Sequence, residues 1–201
     1  MNRDEILEQV KIFDSWVDQL PEKRLKQIHV LLEGLGQRYF TAPASGAIHR
    51  HEAEPGGLLV HSLSVLKNLI ALDSVFGKSI PLDSMIICGL FHDLGKIGTL
   101  DGLDMYIPVS EQWRRDKGYR YEFNKTIKDG LTHAQRSVRL LSHFGVYLSD
   151  DEYLAMLYHD GLYLDENAAL KKVHDCKLAM LMHWADYYTA FFDSDTVERT
   201  Q

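Results

Sequence analysis

Cysteine is scarce in this chain: Cys88, inside an apolar run, and Cys176, among charged residues, are the only two in 201 residues. That excludes a disulfide framework and any CxxC motif for zinc or redox chemistry, and both thiols read as reduced structural groups. An excess of positive charge is also missing, since 22 Lys and Arg stand against 29 Asp and Glu, a formal charge of −7. Phosphate backbones are bound by clustered Lys and Arg, so the composition argues against long nucleic acid as a partner, though not against a small anionic substrate. No apolar run approaches the eighteen or so residues of a membrane span, and the start, Met1-Asn2-Arg3-Asp4-Glu5, is too polar and acidic for a signal peptide. The expectation is a cytoplasmic chain with no membrane partner. Internal repeats, linkers and low-complexity segments are absent as well.

What is present is the make-up of one globular domain with a sizeable core, 45% hydrophobic and 25% charged. Apolar spacing predicts an all-α chain. Helices are expected from Arg3 to about Gln19, from Pro21 to about Gly34, from Leu58 to about Phe76 with Gly77 as its stop, and from Pro81 into His92-Asp93, ending near Gly95. Others are expected over Leu131–Phe144, Asp150–His159 and about Val173–Phe192, with a loop from Thr41 to Gly57. Between about 103 and 123 the period changes, and Met105–Val109 and Tyr119–Phe123 read as a short β-hairpin across a polar turn.

Ten histidines are a high share, and their positions matter more than their number. Asp186 follows Leu178–Ala185, an almost wholly apolar stretch, which places its carboxylate inside the protein. His92-Asp93 closes the apolar run Met85–Phe91, and His61 lies between Leu58-Leu59-Val60 and Leu63. Buried carboxylates need compensation, and one shared cation would compensate all four residues. Imidazole nitrogen with carboxylate oxygen suits Mn²⁺, Fe, Co²⁺, Ni²⁺, Zn²⁺ or a water-rich Mg²⁺, and residue type alone does not choose among them. The dipeptide by itself is weak, because the chain also holds His159-Asp160 and His174-Asp175. His174, flanked by Lys171, Lys172, Asp175 and Lys177, reads as a surface residue, and His183, three before Asp186, as a core histidine rather than a ligand.

Taken in order, Leu58-Leu59-Val60-His61-Ser62-Leu63, then His92-Asp93-Leu94-Gly95-Lys96-Ile97-Gly98, then Asp186 in a late apolar helix resemble the H…HD…D signature of the HD-domain superfamily. The likeness spans roughly 40 to 190, and HDLGKIG is its sharpest part. His133 and His159 fall in the interval that the H…HD…H…H…D subtype fills. The resemblance implies a single HD domain over 1–201, an HD helical bundle with N-terminal helices in 1–39 and the core in 40–192. It also implies two divalent ions: Asp93 bridging, His61, His92 and Asp186 on one, His133 and His159 on the other. Such a pair can present a hydroxide nucleophile to a phosphoryl group.

Phe40–Ser45, His49-Arg50-His51 and Gly56–Leu59 resemble the approach to the first ligand in HD-type 3′-5′ exoribonucleases and phage HD hydrolases. This chain lacks their accompanying nucleic-acid-binding domain, so a nucleotide or short oligonucleotide fits better than long RNA. Lys96 is expected to neutralise a substrate phosphate, the alternative being a helix C-terminal lysine. Arg50 and His51 are candidates for the same anion, His51 as proton donor to the leaving oxygen. Arg114 and Arg115, with Trp113 and Lys117, are candidates for substrate binding from the hairpin turn, or simply a solvated turn. Three functions follow: a metal-dependent phosphohydrolase acting on a nucleotide or a short or cyclic phosphodiester, with Asp93, Lys96 and His51 as catalytic residues; a mixed-valent di-iron oxygenase; or a non-catalytic ligand-sensing module.

Overall fold

The computed structural model describes residues 1–47, 52–161, 167–168 and 175–192. Its elements run α1 (Arg3–Val17), α2 (Glu22–Leu35), α3 (Arg38–Thr41), α4 (Gly57–Val75), α5 (Leu82–Phe91), a 3-10 turn (Leu94–Ile97), β1 (Tyr106–Pro108), α6 (Gln112–Asp116), β2 (Tyr121–Phe123), α7 (His133–His143), α8 (Asp150–Tyr158) and α9 (Lys177–Phe192). The chain is therefore mostly α with one short β-hairpin, as its periodicity predicts.

Local chemistry sets the helix starts. Asn2 accepts from the Glu5 amide at 3.0 Å while Glu5 accepts from the Asn2 amide at 2.8 Å, and Thr132 with Gln135 and Ser149 with Glu152 repeat this reciprocal cap on α7 and α8. The short α3 is not anticipated by the sequence reading, which has no periodicity to use in four residues. Its Arg38 donates to the carbonyls of Ile97 and Thr99, both at 3.0 Å, and so fastens the segment that follows the 3-10 turn.

Helix α4 is the centre of the fold. It packs against α5 and α9, and α8 completes the layer by packing on α9, α7 and α5. Leu58, Leu59, Val65, Leu66 and Leu69 on α4 are fully buried, as are Ile86, Ile87, Leu90 and Phe91 on α5. The sequence reading that no stretch has membrane-spanning length needs correction here. Among the described residues α4 alone is long and apolar enough, with mean hydropathy 1.4 over an 18-residue window. His61, Ser62, Ser64 and Asn68 break the run to the eye, yet the apolar residues around them keep its average at 1.4. Half of that window is buried inside the fold, against neighbouring helices.

At Gly89 a Cβ would lie 2.8 Å from the Cα of Leu66, so glycine lets α5 come close enough to α4 for the end of one to meet the start of the other. The hairpin pairs Tyr106 with Phe123, Ile107 with Glu122 and Pro108 with Tyr121, antiparallel. The turn between its strands contains α6.

One buried acid ties three helices together. Glu152, fully buried on α8, accepts from the Arg24 guanidinium of α2 at 2.7 and 3.1 Å and from the Ser84 hydroxyl of α5 at 2.6 Å, while its second oxygen also accepts the Ser149 amide. Removing one partner of such a pair strands the other. Glu152→Ala is expected to lower the free energy of unfolding by about 3–5 kcal/mol in a denaturant titration, against less than about 1 kcal/mol for removal of the exposed Lys26–Glu22 pair.

Candidate metal centre

Five segments deliver polar side chains to one point. His61 comes from the second turn of α4, His92 and Asp93 from the junction of α5 with the 3-10 turn, and His133 from the first residue of α7. His159 and Asp160 follow the end of α8, and Asp186 projects from the middle of α9. The distances fall into two halves. In the first, His61 Nε2 is 3.3 Å from Asp93 Oδ2 and 3.0 Å from Asp186 Oδ1, and His92 Nε2 is 3.5 and 3.6 Å from the same oxygens. In the second, His133 Nε2 and His159 Nε2 are each 3.4 Å from the other oxygen of Asp93, Oδ1. Asp93 thus addresses one oxygen to each pair of imidazoles.

The ring nitrogens are pre-set for ligation. His92 Nδ1 is 3.1 Å from the Gly89 carbonyl and His159 Nδ1 is 2.7 Å from the Met156 carbonyl, in both cases three residues back. A carbonyl only accepts, so Nδ1 donates to it, and Nε2 is turned inward as the atom that takes up either a proton or a metal ion. The inward Nε2 atoms then face one another, 3.3 Å apart for His61 and His92 and 3.2 Å for His133 and His159. Imidazole nitrogens at that distance share either a proton, donated by one ring to the other, or a cation held between them. Asp93 Oδ1 and Asp160 Oδ2 are buried without a hydrogen-bond donor, although imidazole nitrogens lie within 3.4 Å of both. Those rings are not aligned on the oxygens, as expected of donors that share an ion. The sets His61, His92, Asp93, Asp186 and Asp93, His133, His159 each bring their ligand atoms within 4.8 Å of one another. Buried His and Asp groups in this geometry can hold a divalent cation.

Glycine at 95 makes the second half reachable. A Cβ there would stand 2.0 Å from the His133 carbonyl oxygen, so only glycine allows α7 to begin against the 3-10 turn. The Gly95 amide donates to Ser137 Oγ at 2.7 Å and Ser137 Oγ donates to the His133 carbonyl at 3.0 Å, which fixes the approach.

Electrostatics match the arrangement. Burial acts to raise the Asp93 carboxyl, but Lys96 and the imidazoles of His92, His159 and His61 outweigh it and hold it well below the usual range. Asp186 behaves likewise under His61 and His92. Burial acts to lower the imidazoles, yet Asp93 and Asp186 raise His61 and take His92 to about 10, and Asp160 with Asp93 raises His159. Lys96 Nζ, 2.5 Å from Asp93 Oδ2, is held charged by that carboxylate against its own burial.

All six residues assigned to metal from the sequence, His61, His92, Asp93, His133, His159 and Asp186, meet here, with Lys96 beside them. Arg50 and His51 lie outside the described residues, as does His174. Arg114 pairs with Glu122 and lies 5.4 Å over the Tyr119 ring, and Arg115 donates to the Val109 and Ser110 carbonyls, both at 2.7 Å. Both arginines are thus engaged within the hairpin. Trp113 is exposed, with Lys117 Nζ 5.2 Å over its ring. His183 is tied through Nδ1 to the His159 carbonyl at 2.9 Å, which supports His159 from behind. Sequence reasoning missed Asp160, whose Oδ2 is 3.1 Å from His133 Nε2. The one signal for it was the second His-Asp pair. It also missed a cavity of about 650 Å³ that reaches His133 and Asp160 and is bordered by Phe123, Lys125, Ile127 and Lys128.

No family model, curated protein or solved structure matches the chain. What it does is therefore read from its own side chains.

Protons and a divalent ion compete for the same imidazole lone pairs. His92, raised from 6.5 to about 10, stabilises the metal-free fold below about pH 6.5, and this is lost as pH rises through 10; the lowered Asp93 and Asp186 stabilise above about pH 3.8. In chelator the melting temperature is expected to fall between about pH 6 and pH 9. Mn²⁺ at about 100 times its dissociation constant should add roughly 5–10 °C near pH 8 and much less near pH 5.5. A metal increment independent of pH would contradict this ligand set.

Proposed function

We propose that this chain is an HD-type, metal-dependent phosphohydrolase that acts on a small phosphorylated substrate, a nucleotide or a short or cyclic phosphodiester. The observation that carries the reading is Asp93, whose two oxygens face two separate pairs of histidines 3.3 to 3.5 Å away. One carboxylate shared by two nitrogen-rich sets is what a pair of ions a few ångström apart requires, and it agrees with the H…HD…H…H…D resemblance.

Divalent ions, when bound, supply a nucleophilic water at neutral pH and positive charge for phosphoryl oxygens. The chain's own residues do the rest. His61, His92, His133 and His159 turn their Nε2 atoms inward, and Asp93 spaces the two halves. Lys96 keeps a fixed ammonium at the edge of Asp93, placed to draw charge from a phosphoryl oxygen. The cavity beside His133 and Asp160 has the volume of a small-molecule site, with apolar Phe123 and Ile127 for a flat group and exposed Lys125 and Lys128 for an anion. Nothing in it favours a long polymer, which agrees with the formal charge of −7.

The test is phosphate or nucleoside release from a nucleotide and dinucleotide panel with Mn²⁺, Co²⁺, Ni²⁺, Mg²⁺ or Fe²⁺. Asp93→Ala is expected to lose roughly 10³-fold or more in kcat/KM, while His143→Ala, on the exposed end of α7, retains the wild-type rate. Equal rates in wild type and Asp93→Ala would remove the hydrolase reading. Iron dependence with oxygen consumption and no phosphate release would instead move the site to the di-iron oxygenase class, and inactivity on all panels to ligand sensing.

The cavity makes a separate prediction. Lys125→Glu with Lys128→Glu is expected to raise KM roughly fivefold or more with little change in kcat, an effect that shrinks at high salt. An unchanged KM would place the substrate on another face.

A further inference from the structure

We propose that Asp160 is a ligand of the second ion and completes that half of the centre. The inference rests on the two-ion reading above. Without Asp160 the second half has three donors, His133, His159 and the shared Asp93 Oδ1, against four in the first, His61, His92, Asp93 Oδ2 and Asp186. Divalent ions of this type hold four or more donors, water included, so a second half with three protein donors has room for a further carboxylate as well as for water. Asp160 Oδ2 is placed to be that carboxylate, 3.1 Å from His133 Nε2 and 3.8 Å from His159 Nε2, and Asp160 also offers an oxygen within 4.8 Å of ligand atoms of His159 and Asp186.

The plain rival is a hydrogen bond in which His133 Nε2–H donates to Asp160, which would take His133 out of the ligand set. The geometry argues against it, because Asp160 Oδ2 is buried yet has no aligned donor in spite of the 3.1 Å separation. Burial of a carboxylate oxygen in that state is costly unless a cation meets it. Its placement is also fixed from behind. His159 is anchored by its ring to Met156 and by its carbonyl to His183, so the next residue has little freedom to turn away. With Asp160 included, both halves become two imidazoles and two carboxylate oxygens. Three carboxylates against two divalent ions and Lys96 leave the centre positive, which suits an anionic phosphoryl group.

The experiment is equilibrium dialysis against Mn²⁺ with elemental analysis, read alongside the electron paramagnetic resonance spectrum. Wild type is expected to hold two Mn²⁺ per chain with the hyperfine pattern of a coupled pair. Asp160→Asn, equal in size, is expected to weaken the second ion by about 100-fold or more, to fall toward one Mn²⁺ and to lose the coupled pattern. Asp160→Glu should recover part of it. In crystals of the wild type grown with Mn²⁺, an Asp160 oxygen should lie about 2.2 Å from the second ion, a readout that needs no variant. Two tightly held ions in Asp160→Asn, or an Asp160 oxygen beyond about 3 Å from the ion, would overturn the assignment and leave the two-ion reading standing. At most one Mn²⁺ in wild type would overturn both.

Discussion

Asp93 is the constraint around which the molecule is arranged. A carboxylate that is 1% exposed just past the apolar run Met85–Phe91 costs several kcal/mol if left alone. This one is offset on every side: Lys96 and two imidazoles on one oxygen, two more imidazoles on the other. His92 and Lys96 come from the segment of Asp93 itself, and His61, His133 and His159 from three other parts of the chain. Satisfying one side chain therefore dictates how α4, α5, α7 and α8 must approach, with α9 bringing Asp186 to the imidazoles of the first half.

The close approaches follow from that demand. Gly89 lets α5 lie against Leu66 of α4, which brings His92 beside His61 with ring centroids 5.3 Å apart. Gly95 lets α7 begin against the 3-10 turn, which brings His133 to Asp93. The glycine in His92-Asp93-Leu94-Gly95-Lys96 is thus a packing requirement of the centre, and the lysine after it is the nearest fixed cation to the carboxylate. A five-residue motif acquires a separate physical reason at each polar or glycine position.

Much of this was legible in the chain because burial and polarity conflict so plainly at His61, His92, Asp93 and Asp186. Helix periodicity located α1, α2, α4, α5, α7 and α8 to within a few residues, since their apolar faces repeat over three or more turns. The four-residue α3 and the five-residue α6 were not legible, because neither is long enough to carry a period. Asp160 was hidden for a different reason. It lies past the end of α8, after the apolar stretch Leu154–Tyr158 and beside Gly161, where helical phase no longer places a side chain, and only the tertiary approach of His133 reveals it. Arg114 and Arg115 show what sequence does not carry: a turn rich in cations reads either as a substrate contact or as a solvated turn, and the hairpin's own carbonyls and the Glu122 carboxylate are seen only in the fold.

The two halves of the centre differ in access, and that difference has a consequence for how a substrate could arrive. His61 and His92 are 0% exposed and enclosed by the helix core, whereas His133 and Asp160 are 18% and 27% exposed and border the cavity with Lys125 and Lys128. On the proposed reading, a phosphoryl group approaching from solvent meets His133 and Asp160 first. The first half, set in the core, is suited to fix Asp93 and retain its ion. The second, made partly of the loop residue Asp160 and the first residue of α7, is suited to exchange water for substrate. On the same reading, the enclosed imidazoles of His61, His92 and His159 therefore govern whether the centre assembles at all, and His133 with Asp160 governs which molecules it can turn over.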